Sequence, residues 1–494
     1  MVHTDSRSLE SSIIKAPAER GRRPIETSTL PAGKGSAMDR RARVVVAAGC
    51  SVVVGTALFA LAGCVAATLT GPTLVSSGLP LHVDAQVRST TQLAGAVNEF
   101  GVQLLKASVT ATDTVGNVIV SPASVHAALS MTVNGATNET GQQMRGVLHV
   151  DSMSDAETNR QWASLLVGLD ARSQEQTLAI ANSLWAERDI KFKRPFIEAD
   201  RDFFGAQVST LDFENDDVAG AINGWVANNT RGMITHMIDE VPDNAILYLA
   251  NAAYFKGDWV TPFSDGPPSP YRDRLPPPSS GGPPPPPYRD RRPFEAPFTR
   301  ADGSRVKVHM MRMTAEMPYA RNDTLQATKL LYRGNATAFY VLLPKPAVSL
   351  DAAMASLEGT GFSDLRRTMQ AEEATKVVLS MPKLDAESPI MSLEEPLKAM
   401  GMPRAFGPGA QFSDMVDSPG ISIGRVLHST KVRVDEKGTE AAASTVVEHV
   451  WLMASPTPVI KPPRIICDRP YLFAIVDEQS GAMLFLGAVN DPRK

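Results

Sequence analysis

The stretch from Asp435 to Met453 (Asp-Glu-Lys-Gly-Thr-Glu-Ala-Ala-Ala-Ser-Thr-Val-Val-Glu-His-Val-Trp-Leu-Met) is where residue types and spacing point to chemistry. Read at a period of two, one face carries Thr439, Ala441, Ala443, Thr445, Val447 and His449. The other carries Glu440, Ala442, Ser444, Val446, Glu448 and Val450. Both glutamates share one face, and the opposite face is small and uncharged until His449. About a dozen residues can therefore enter a sheet as a strand without burying a carboxylate. Gly438 supplies a pivot at the start. Pro456, Pro458, Pro462 and Pro463 bar the segment beyond Met453 from a central strand. On this window alone two other readings stand. Glu-Ala-Ala-Ala favours an exposed helix, and an ordinary accessible loop fits as well.

Other chemistry leaves no trace. There is no Gly-x-Ser-x-Gly elbow, Walker-type loop, His-Glu-x-x-His or dinucleotide fingerprint. The histidines (His3, His82, His126, His149, His236, His309, His428 and His449) are scattered without ligand spacing. The reading is of a non-enzyme with no metal and no cofactor. Cys50 and Cys64 fall in an N-terminal leader, so Cys467 stands alone in the body and no internal disulfide is possible there. Flanked by Ile465, Ile466 and Tyr471, it reads as a small buried hydrophobe. A net charge of -4 argues against a nucleic-acid binder working by bulk charge. A hydrophobic content of 43% excludes a wholly disordered chain, and 494 residues suffice for a large core.

Residues 1–43 are polar, basic and turn-rich, and are expected to be disordered. Val44 to Leu69 then runs without a charge, long enough to span a bilayer. Arg40, Arg41 and Arg43 just before it hold that end in the cytoplasm and send the rest out. Leu61-Ala-Gly-Cys64 resembles a bacterial lipobox, in which Cys64 is acylated and becomes the first mature residue. An uncleaved anchor and a simple cleaved signal are the other readings. A start at Met38 gives a leader of ordinary size, which would leave residues 1–37 untranslated. Residues 70–89 read as a polar tether. Each reading places the body outside the cytoplasm, extracellular or at the cell surface, with a membrane attachment through Cys64 or the 44–69 segment.

The elements that must position Asp435 to Met453 begin near Val87. Ala96, Phe100, Leu104 and Leu105 give Leu93 to Ala107 a helical period. Val118 to Val120 reads as a strand, and Ser121 and Ser124 as caps of the helix that follows. Ala245 to Phe255 is nearly all apolar, as a strand buried on both faces would be. Ala338 to Leu343 and Val377 to Met381 are further strands. Leu472 to Ile475 and Met483 to Val489 are joined by a turn at Asp477 to Gly481. Residues 264–293 break the pattern. They hold 12 of the 37 prolines and repeat Pro-Tyr-Arg-Asp-Arg at Pro270 and Pro287, so they read as a polyproline-like surface insert.

Blocks of sequence in one order resemble the serpin family from Val97 to Pro492. They are Asn117-Val-Ile-Val-Ser-Pro-Ala-Ser-Val125 with Gly135-Ala136, Asn182-Ser-Leu-Trp185, and Ile222-Asn-Gly-Trp-Val226 with Thr230 and Gly232. Asn251-Ala-Ala-Tyr-Phe-Lys-Gly-Asp-Trp259, Leu397 to Phe406, Phe412-Ser-Asp-Met415, Asp468-Arg-Pro-Tyr-Leu-Phe473 and Gly481 to Val489 follow. The resemblance implies an α+β fold over residues 90–494, with a large mixed central sheet, packed helices and a reactive-centre loop at 435–463. It implies a hinge at Gly438, Thr439, Glu440, Ala441, Ala442, Ala443, Ser444 and Thr445. Ser121, Ser124, Asn251 and His428 resemble the polar cluster beneath the opening sheet, and Trp259 the tryptophan near its top. The family's spacing from Gly438 puts the bait bond at Leu452-Met453. The stretch onward to Asp468-Arg-Pro470 is longer than usual, which widens that to Trp451 through Ala454.

The implied function is suicide inhibition of an extracellular serine, or sometimes cysteine, protease by a monomer. Leu452 and Met453 suit the apolar pockets of chymotrypsin-, elastase- or subtilisin-like enzymes. The alternative is a non-inhibitory serpin acting as carrier, chaperone or adhesion module. Bulky or charged inward hinge residues would favour it, and none occurs before His449.

Overall fold

Leu93, Val97, Phe100, Leu104 and Leu105 are fully buried along one long helix, which runs four residues past its expected end, to Ala111. The computed structural model describes Thr73–Leu74 and residues 90–493, apart from 113–115, 172–175, 215, 241–245, 264–293, 389, 419 and 439–461. The leader, the proline-rich insert, the hinge from Thr439 to Thr445 and the Leu452-Met453 bond lie outside the described residues. Among the described residues no helix is long and apolar enough to cross a membrane.

In chain order the elements are β1 (Thr73–Leu74), α1 (Thr91–Ala111), β2 (Val118–Val120), α2 (Pro122–Val133), α3 (Asn138–Val147) and α4 (Asp155–Ala171). Then come β3 (Gln176–Glu187), α5 (Arg194–Phe204), β4 (Gln207–Leu211), α6 (Val218–Asn229), β5 (Leu247–Gly257), β6 (Phe294–Thr299) and β7 (Arg305–Met317). β8 (Tyr319–Arg321), β9 (Leu325–Leu331), β10 (Thr337–Pro344), α7 (Leu350–Ala355), α8 (Gly361–Ala371) and β11 (Thr375–Pro382) follow. The chain closes with β12 (Leu384–Glu387), β13 (Met391–Ser392), α9 (Glu394–Met400), β14 (Arg425–Val434), β15 (Arg464–Ile466), β16 (Tyr471–Asp477) and β17 (Met483–Val489).

The fold is α+β, as expected. Among the described residues its main sheet has seven strands in the order β1-β4-β3-β5-β14-β12, with β13 also on β14. It is mixed: β3 is antiparallel to β5, while β14 runs parallel to β5 and β4 parallel to β3. A six-stranded sheet (β2-β17-β16-β10-β9-β8) and a four-stranded one (β15-β11-β7-β6) complete the architecture. The apolar run in β5 has a direct cause. Leu249, Ala253 and Phe255 join the large core cluster that contains α2, while Tyr248, Ala250 and Ala252 pack with Ile222, Trp225 and Val226 of α6. Alternate side chains thus meet helices on opposite faces, so neither face tolerates a charge.

One local expectation is corrected. Ser121 stands at the N-cap of α2 but makes no side-chain cap. Its Oγ donates instead to the carbonyl of Leu484 on β17, at 2.6 Å. The capping role falls away because that hydroxyl bonds to β17 rather than to α2. The turn between β16 and β17 forms as read: Gly481 has φ 83°, and its N–H reaches the Asp477 carbonyl. Cys467 is fully buried.

Candidate functional site

Residues 435–438, which follow β14 and end where the expected hinge starts, are held by the chain that continues from β5. β5 and β14 pair directly, from Arg425 opposite Tyr248 to Val432 opposite Phe255. Beyond the ladder, Asp258 bridges to Gly438. The Trp259 N–H donates to the Lys437 carbonyl (3.0 Å) and the Phe263 N–H to the Glu436 carbonyl (2.8 Å). The Trp259 indole Nε1–H donates to the Asp435 carbonyl at 2.9 Å. That ring is 1% exposed, stacked on Tyr332 at 4.4 Å between centroids and edge-on to Phe339 and Phe263. Lys383 just before β12 pairs with Glu436 at 2.7 Å. Gly438 sits at φ 138°, and a Cβ there would overlap Asp258 Cα and the Gly257 carbonyl. Only glycine lets the two backbones approach so closely. The turn at Asp435 to Gly438 is therefore a fixed root for the segment that follows.

A row of polar side chains lies beneath the same strands. Asn182 on β3, Asn251 on β5 and His428 on β14 are in direct register, so they share one face of the sheet. Asn251 Nδ2 donates to Ser124 Oγ (2.6 Å) and to Asn182 Oδ1. The Ser121 backbone N–H donates to His428 Nε2 at 3.0 Å, which makes that nitrogen an acceptor. The proton must then sit on Nδ1, which donates to Asn251 Oδ1 at 2.5 Å. A neutral imidazole is built into this arrangement, and burial pulls the His428 pKa down to about 3. Ser121, Ser124, Asn251 and His428 are all fully buried.

The four residues named from the sequence as a cluster do meet. Trp259 stands apart from them, eight residues up β5 from Asn251, or about 26 Å at a strand's rise. Asn182 and Thr430, whose Oγ1 donates to the Ile119 carbonyl, extend the buried polar set and were not foreseen. Asn182 stood out only as a polar residue after the apolar run Leu178 to Ala181, and Thr430, between Ser429 and Lys431, gave no signal.

The arrangement is a zipped sheet with a latch at its centre. A strand entering between β5 and β14 would have to break the Asn251–His428 bond and the ladder above and below it. Eight residue pairs in parallel register hold that boundary shut.

A family profile described as Serpin (serine protease inhibitor) matches residues 95–270 and 286–492. The residues it passes over lie within the proline-rich insert. A serpin-like protein of Thermococcus kodakarensis, described as uncharacterized, is 29% identical over 407 residues, covering 81% of this chain and 86% of the relative. Human Serpin B3 is 28% identical over 396 residues, covering 76% and 94%. Among solved structures, a thermophilic serpin, tengpin, in its native state aligns with a TM-score of 0.71 at 26% identity, covering 85% of this chain and 99% of that one. Human thyroxine-binding globulin with its bound hormone aligns at 0.67 and 22% identity, covering 82% and 99%, a likeness of fold.

Proposed function

The chain belongs to the serpin (serine protease inhibitor) family, and from this we propose that it is an exported suicide inhibitor of a serine protease. The protease's serine oxygen attacks the carbonyl carbon of Leu452. An ester forms to that carbon, the peptide bond to Met453 breaks, and the new amine takes its proton from the protease's own histidine. The freed segment, rooted at Gly438, then enters the main sheet between β5 and β14 and carries the acyl-enzyme with it before water can hydrolyse the ester.

The observation that carries this reading is the direct pairing of β5 and β14, ending at the Gly438 root. The next residues, Thr439, Ala441, Ala443, Thr445 and Val447, are small and uncharged on alternate positions. An entering strand satisfies a new ladder on both sides and buries no charge on that face. The Asn251–His428 bond links the two strands at the middle of that ladder, and it must yield. Incubation with chymotrypsin, elastase and subtilisin tests the reading. An inhibitor yields an SDS-resistant complex of the summed mass less the fragment from Met453 onward. A nicked chain alone, with all three enzymes left active, would favour the carrier reading instead.

We also propose that the body is held at the membrane through Cys64, on the strength of Leu61-Ala-Gly-Cys64 closing an uncharged run. Cys64→Ser should move the protein from the membrane fraction to the medium, or stall its maturation. The check is detergent partitioning with mass spectrometry of the N-terminus. An unmodified N-terminus elsewhere in the wild type would remove the claim.

A further inference from the structure

The main sheet has one edge that nothing in its own strand protects. Exposed strand edges are templates for pairing with another chain, and proteins blunt them with charges or prolines. The far edge, β12, carries the exposed Asp385. In the four-stranded sheet, β6 carries Glu295 and Pro297 and β15 carries Arg464. In the six-stranded sheet, β8 carries Arg321, and β2 is buried along its length with the Ile119 carbonyl taken by Thr430. β4 (Gln-Val-Ser-Thr-Leu) has neither a charge nor a proline. It is covered instead by β1, with Thr73 opposite Thr210 and Leu74 opposite Ser209. In the sequence Thr73-Leu-Val75 is a short β-prone triplet set between Gly71-Pro72 and Ser76-Ser-Gly78, inside the segment read as a tether.

We infer that Thr73–Leu74 is an edge guard, and that the partner it excludes is a second copy of this chain pairing through β4. A copy brings its own β-prone, uncharged edge of the same sequence, and an antiparallel pair of identical edges closes as a two-fold dimer. The guard works apart from the inhibitory reaction. Ser209 is in register with Trp185 and Trp185 with Tyr248, nine residues short of Gly257. That places β1 about 30 Å along the strands from the hinge root. β1, β4, β3 and β5 also form one hydrogen-bonded block on the same side of the β5–β14 boundary. Losing β1 leaves that boundary as it was.

The test is the exported chain carrying Thr73→Pro with Leu74→Pro, which removes both N–H donors of the guard. Hydrogen exchange by mass spectrometry should show the amides of residues 207–211 exchanging at least roughly tenfold faster, with β5 and β16 unchanged. Sedimentation velocity should show a monomer becoming a dimer as concentration rises. A peptide of residues 70–78 added in trans should reverse both effects, while complex formation with chymotrypsin stays at the wild-type ratio. Unaltered exchange in β4 would mean that β1 guards nothing. Fast exchange in a chain that stays monomeric would mean that no second copy is excluded. Should the double variant also loosen β5 and β16, Leu74→Pro alone, read the same way, decides.

Discussion

Thr439→Arg is expected to be cut by chymotrypsin as fast as the wild type and to trap none of it. Thr439 directly follows the Gly438 root and is the first side chain that must turn inward as the loop enters the sheet. On the inward face the strands on either side of its path carry Phe255 and Val432, buried in the large core cluster, with Asn251 and His428 below them already satisfied. A guanidinium arriving on that face meets apolar side chains. Burying it unpaired costs several kcal/mol or more, enough to stall insertion beyond the time an acyl-enzyme needs to hydrolyse. The proposed bait bond lies 13 residues further on, so recognition and acylation should be untouched. The assay is a gel of the complex alongside N-terminal sequencing of the cleaved chain. The same variant should lack the gain in heat stability expected of the wild type once its loop is cut. A wild-type yield of complex from Thr439→Arg would remove strand insertion from the mechanism.

The second large effect lies away from the loop. Phe196, Asp200 and Phe204 form the buried stripe of α5, and the carboxylate in the middle is 0% exposed. Neither of its oxygens has a hydrogen-bond partner among the described residues. Burial holds its pKa well above the usual carboxylate range, opposed by the neighbouring Asn134 amide, whose Nδ2 likewise makes no hydrogen bond of normal geometry. Asp200→Asn keeps the shape and removes the charge. It should stabilise the protein by about 3 kcal/mol at pH 7.5, the order of an uncompensated buried charge.

The pH dependence has a defined sign. The Asp200 contribution is fully present below the unfolded value of 3.8 and is lost as pH rises toward the native one. His428 and His126, held near 3 and 4 by burial, act the other way. Their contribution is complete above 6.5 and is lost as pH falls. In Asp200→Asn only the histidine effect remains of these three. Between pH 5.5 and 4.5 it amounts to at most about 2.7 kcal/mol per pH unit for two protons. Urea midpoints at pH 7.5, 5.5 and 4.5 should show the variant ahead of the wild type by a margin that narrows with acid. A variant less stable than the wild type at pH 7.5 would mean the carboxylate has a partner.

Much of this was legible in the residues. Ala245 to Phe255 reads as a doubly buried strand because helices on both faces forbid charge, and β5 occupies Leu247–Gly257 within a residue or two of that reading. The C-terminal hairpin was legible because both its strands are apolar and buried along their length, with Gly481 marking its turn. Other features depend on partners far away in sequence. Ser121 looks like a cap until β17 supplies a carbonyl for its hydroxyl. Asn182 is one more polar residue until β5 brings Asn251 beside it. Asp200 breaks a helical stripe that pattern reading would fill with an apolar residue. Thr73–Leu74 is invisible as a strand because two residues carry no period, and only the bare edge of β4 gives them a place.

The central claim is that the cut loop enters between β5 and β14, and a reversible lock across that boundary tests it most directly. Ala252 and Ser429 are direct partners in the parallel ladder and both are buried. Neighbouring strands hold such a pair within the span of a disulfide, and Cys467 is buried away from exchange. In the Ala252→Cys, Ser429→Cys chain, oxidation should leave the loop cleavable by chymotrypsin while abolishing the SDS-resistant complex. Reduction should restore the complex to the wild-type ratio. A crosslinked chain, its disulfide verified by mass, that still traps the protease at the wild-type ratio would contradict the account.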